Sequence, residues 1–148
     1  MSSVDSVSQN TQDSFSSYRL SFAPGQSIAS TGNAVVTMPI LSGGIGGGSY
    51  IIRRITVTNP SNTAGGTVPS MTAGNVSILT SSDGNASNAV VAAQTLGNIS
   101  GANTWQDLTL AAGAATTAYT ANALFVKINT GVANSAVNFT IWGDVVSF

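Results

Sequence analysis

ALFVKIN, residues 123–129, alternates Leu124, Val126 and Ile128 with Phe125, Lys127 and Asn129. Successive side chains of a β-strand point to opposite faces, so this period of two puts the three aliphatic residues on one buried face. After a loop from Thr130 to Ser135, AVNFTIWGDVVSF (136–148) repeats the pattern with Val137, Phe139 and Ile141. Working outward, SYIIRRITVTN (49–59) is β-branched almost throughout and reads as a strand that Pro60 stops. FSSYRLSF sets Tyr18, Leu20 and Phe22 two apart, on one face, before Ala23-Pro24-Gly25 ends the run. NAVVTMPIL (33–41) contains Pro39, which cannot donate to a ladder and predicts an edge strand or a bulge. NVSILTS (75–81), AVVAAQTLG (89–97) and TWQDLTL (104–110) complete the set, with a turn at Ser82-Asp83-Gly84-Asn85. The Ala-rich stretch AAGAATTAYTANA lacks an apolar stripe and reads as loop or short strand. About eight strands separated by turn signals predict an all-β protein, a jelly-roll-like antiparallel sandwich.

The organisation is that of one domain. Of the 148 residues, 15–148 carry the strand pattern and form the β-sandwich domain. Residues 1–14 hold only two aliphatic side chains, Val4 and Val7, and read as an extended N-terminal arm. The opening MSSVDSVSQNTQDSFSS has no basic start followed by an apolar run, so no secretory leader is expected. No apolar run approaches the roughly 20 residues that span a bilayer, and no membrane partner is expected.

Charged residues are 6% of the chain, against about 25% in an ordinary soluble domain. The acids are all Asp (Asp5, Asp13, Asp83, Asp107, Asp144), and the net charge is −1. So little charge gives weak colloidal repulsion. Either Ser, Thr and Asn keep the surface wet, or neighbouring copies cover much of it, as in a homo-oligomer such as a trimer.

The chain has no His and no Cys, which removes Ser–His and Cys–His pairs and imidazole or thiolate metal ligands. Three scattered Asp in the body offer neither a glycosidase pair nor a calcium loop. GGIGGG (43–48) leads into a strand rather than a helix, unlike a phosphate-binding glycine loop. No catalytic residue, cofactor or metal is therefore expected, and the chain reads as a non-enzyme. Arg53-Arg54 is the one concentration of charge. Adjacent strand residues point to opposite faces, so at least one of the two should meet a partner, a carboxylate or the sandwich rim. Two arginines in a net-acidic chain make no nucleic-acid footprint. Trp105 and Trp142 suit either a sandwich core or a sugar-stacking platform, the latter pointing to a carbohydrate-binding module or lectin. The candidate interface residues are Val4, Val7, Arg53 and Arg54.

A polar arm without basic residues, then a neutral Gly/Ala/Ser/Thr-rich β domain closed by ALFVKINTGVANSAVNFTIWGDVV, resembles the head-decoration (cement) proteins and other small β-sandwich virion proteins of tailed bacteriophages. The resemblance implies a homotrimer or similar cluster seated on the outer capsid surface. It would bind the major capsid protein, bridge and stabilise capsid subunits, and be synthesised in the host cytoplasm. A tailed-phage major capsid protein itself needs a long helix and a larger chain. An RNA-virus jelly-roll capsid protein normally brings a basic arm, and residues 1–18 contain no Lys or Arg.

Overall fold

A computed structural model describes residues 18–39 and 49–146. They form eight strands: β1 (Tyr18–Ser27), β2 (Gly32–Pro39), β3 (Ser49–Asn62), β4 (Asn75–Leu79), β5 (Ala89–Thr95), β6 (Gln106–Leu108), β7 (Ala123–Thr130) and β8 (Ser135–Val146). The arm, with Val4 and Val7, the boundary at Phe15 and the 43–48 glycines lie outside the described residues.

The strands build two four-stranded sheets, in the orders β1-β8-β3-β6 and β2-β7-β4-β5. All pairings are antiparallel. Every connection except β4–β5 crosses from one sheet to the other, the interleaving of a jelly roll. β7 and β8, joined by a short loop, therefore belong to different sheets and share one core. The expected inner residues Leu124, Val126, Ile128, Val137, Phe139 and Ile141 are all fully buried. Ile52, Ile55 and Val57 of β3 and Val76 and Ile78 of β4 join them.

The prolines act through bulges, not stops. β3 runs on through Pro60 to Asn62, with a register shift between Thr58 and Ser61 and Asn59 at φ 50°. β1 likewise continues through Pro24-Gly25, shifting register between Ala23 and Gln26. A bulge absorbs the residue that cannot donate to the ladder, which is why Pro is tolerated there. β2, which carries Pro39, is an edge strand as expected. Between β3 and β4, Met71 is fully buried, and its amide donates to the Ile99 carbonyl at 2.8 Å.

Two glutamines close the side of the sandwich where the chain passes from β5 to β6. Buried Gln106 donates from Nε2 to the Thr95 carbonyl and accepts from the Asn98 amide. Gln94 exchanges two bonds with the Thr109 backbone, and the Ala111 amide donates to the Val90 carbonyl at 2.7 Å. Residues 109–111 thus lie along the outer edge of β5.

Tyr50 anchors the segment after β6. Its hydroxyl donates to the Ala121 carbonyl at 2.7 Å, and its backbone exchanges two bonds with Tyr119. Burial, and next the neighbouring Tyr119, pushes the Tyr50 phenol up to about 12. An unfolded tyrosine ionises near 10, so this group's contribution to stability is complete below pH 10 and is lost as pH rises towards 12. A tyrosinate absorbance titration should show Tyr50 ionising late, with alkaline unfolding setting in over that window. Tyr50→Phe should remove the lag and cost about 1 kcal/mol for the lost hydrogen bond. Ionisation of Tyr50 near 10 would contradict the burial.

Candidate functional site

The outer face of the β1-β8-β3-β6 sheet gathers five of the chain's nine charged residues: Arg19, Arg53, Arg54, Asp107 and Asp144. Register explains how. Arg19 and Arg54 both lie opposite Trp142, so one row across the sheet reads Arg19, Trp142, Arg54. The next row reads Phe22, Thr140, Thr56, Asp107. A register shift falls on each side of Trp142: between Arg19 and Ser21 in β1, and between Ile52 and Arg54 in β3. Bulges bend a strand and re-aim its side chains, and they collect at functional sites.

These bulges overturn two readings of simple alternation. Arg53 and Arg54 do not point to opposite faces, because Arg53 is the extra residue at the β3 shift and both side chains are exposed. Tyr18, Leu20 and Phe22 do not share an inner face either. Leu20 is buried, but after the β1 shift Phe22 turns outward and is 43% exposed.

Each arginine of the pair meets a carboxylate of the same chain. Arg53 Nε binds Asp144 at 2.8 Å, and Arg54 Nε binds Asp107 at 2.7 Å. Thr56 donates to the same Asp107 oxygen at 3.0 Å. All four charged side chains remain about half exposed, so the pairs contribute at most about 1 kcal/mol each to stability. Both arginines engage through Nε, and their terminal NH₂ groups make no hydrogen bond among the described residues. The pairs fix the guanidinium planes more than they stabilise the fold.

Aromatic rings complete the face. Trp105 is 56% exposed, with the Arg54 guanidinium 5.7 Å from its ring centroid. The Arg19 guanidinium lies 5.2 Å from the Phe22 ring. Trp142 is half-buried between the arginines of its row. The core reading of the two tryptophans is therefore corrected: neither is in the core. Strict alternation already held this signal for Trp142, since Phe139 and Ile141 take the inner face.

No family model, curated protein or solved structure matches the chain.

The opposite sheet offers a smaller feature. Ser77, Leu79, Lys127 and Asn129 line a shallow pocket of about 130 Å³ under the turn at Gly84. Lys127, the chain's single lysine, donates to the Gly84 carbonyl at 3.2 Å, and Asn129 bonds Asn75 and Ser77. Asp83 caps the same turn; the Asn85 amide first, then Asn88, holds its carboxyl below the usual range. These bonds shape a surface turn, and four alanines, Ala86, Ala89, Ala92 and Ala93, complete the pocket wall.

Proposed function

We propose that this chain is a structural, non-enzymatic virion protein that assembles through the outer face of the β1-β8-β3-β6 sheet. The observation that carries the reading is the row of Arg19, Trp142 and Arg54, with the exposed Trp105 ring against Arg54 and bulges on both neighbours of β8. Tryptophan, tyrosine and arginine dominate the energetics of protein interfaces, because they combine large apolar area with directional donors. A charge content of 6% fits a protein whose surface is largely covered in use. The jelly-roll strand order is used by viral capsid proteins, and also by lectins, so the fold agrees with the virion setting by analogy alone. In this reading the chain forms a trimer or another closed ring on the outer capsid surface, and bridges capsid subunits there.

The test is a double variant, Trp105→Ala with Trp142→Ala. Light scattering and co-sedimentation with intact particles should show self-association and particle binding weakened at least 100-fold, since each anchor of this kind contributes about 2 kcal/mol or more. The melting temperature should change little for two residues outside the core. Unchanged assembly of a folded double variant would remove the face from the proposal.

One observation favours a second reading, carbohydrate binding. Trp105 presents an exposed ring beside the fixed Arg54–Asp107 pair, a stacking surface with polar groups at its margin. A glycan array with a Trp105→Ala control separates the two, since an assembly face has no sugar-dependent signal to lose.

A further inference from the structure

The charges of the chain are distributed unevenly. All four cations lie among the described residues with three aspartates, giving a body of formal charge +1, whereas residues 1–17 carry only Asp5 and Asp13, −2. Within the body, Arg53 and Arg54 are matched by Asp144 and Asp107. Asp83 is occupied in its turn. Arg19 is exposed, lies beside Phe22 and Trp142, and makes no ion pair among the described residues.

We infer that the N-terminal arm of a neighbouring copy docks across this face, setting Asp5 or Asp13 on Arg19 and Val4 and Val7 on the Phe22–Trp142 surface. The inference rests on the assembly reading above and names the occupant of its face. Opposite charge selects the occupant, because the arm is the segment of this chain with two acids and no base. Length permits it. Fourteen extended residues span roughly 48 Å, and the four strands of the face extend over only about 15 Å.

The point of entry favours exchange between copies. The chain enters β1 at Tyr18, opposite Gly143, and the Phe22–Thr140 row lies further along the strand. An arm returning to its own face must reverse direction before Tyr18, and the arm of a neighbouring copy need not. An arm that continues outward reaches a neighbour instead, and reciprocal exchange closes a ring.

The test uses the full-length chain carrying Arg19→Lys, which keeps the charge and supplies an amine. Equal amounts of ¹⁴N- and ¹⁵N-labelled protein are mixed before assembly, treated with a zero-length carbodiimide, and digested for mass spectrometry. The expected result is a cross-link from position 19 to Asp5 or Asp13 that carries mixed isotopes, with Lys127 as the internal comparison amine. In parallel, Asp5→Lys with Asp13→Lys should weaken self-association at least tenfold at unchanged melting temperature, and adding Arg19→Asp should restore it. Links of a single isotope composition would overturn the inference in favour of an arm folded on its own body. An assembled protein without any link from position 19 to the arm would overturn it while leaving the assembly face standing. A monomer at every concentration, unable also to bind particles, would overturn both.

Discussion

Gly143→Ala is expected to cost the fold more stability than any other single methyl group added to this chain's described glycines. A Cβ at position 143 would overlap the Ile51 carbonyl oxygen and approach the Ile51 carbonyl carbon to 3.0 Å and Leu20 Cδ1 to 2.7 Å. A side-chain tip can move aside, but Ile51 O belongs to the backbone of β3, which is paired with β8 on both sides of this point. Relief would require parting the two central strands of the sheet. Ordinary overpacking costs about 1–3 kcal/mol; with backbone as the obstacle, more than about 4 kcal/mol is expected, a large share of a typical total of 5–15. Urea denaturation followed by circular dichroism measures the loss. Gly101→Ala is the control, because nothing lies within 4 Å of its added methyl and its stability should stay within about 0.5 kcal/mol of the parent. Equal stability of the two variants would mean that β3 and β8 are not packed as described.

Phe139→Ala should have the next largest effect, a loss of about 3–5 kcal/mol. Phe139 is fully buried at the centre of β8, opposite Val57 on one side and Ala23 on the other. Truncation forfeits the transfer free energy of the ring and leaves a cavity between two hydrogen-bonded sheets, which close over it less readily than loops would. The thermal midpoint of the variant measures this directly. A fall of only a few degrees would indicate a core able to collapse around position 139. Because Trp142 lies on the opposite face of the same strand, the variant that remains folded should still associate, which separates core from surface within β8.

The all-β class and most strands were legible because burial on one face leaves a period of two in the sequence, clearest in β7 and β8. Leu124 to Ile128 and Val137 to Ile141 needed nothing beyond that period. Pairing was less accessible: the short Thr130–Ser135 connection suggests a hairpin, whereas its flanking strands enter different sheets. The candidate face was harder still. Its members come from positions 19–22, 53–54, 105–107 and 142–144, and only pairing across the sheet brings them together. Alternation also fails where a bulge inserts a residue, which hid the common orientation of Arg53 and Arg54 and the outward turn of Phe22. Bulges depend on how two distant strands fit, and one strand's sequence carries little trace of that fit.

The closure of β5 bears on what this chain can safely become. AVVAAQT is an uncharged, β-prone run at a sheet edge, the kind of segment that recruits strands from other molecules into fibrils. Most proteins guard such edges with lysine or glutamate gatekeepers, but a chain with nine charges in all has few to place there. The 109–111 segment lies over that edge instead: the Ala111 amide takes the Val90 carbonyl, Gln106 takes the Thr95 carbonyl, and the Gln94 side chain pins Thr109 alongside. Backbone-templated growth on β5 is thereby hindered by a covering segment of the same chain, without spending charge on the edge.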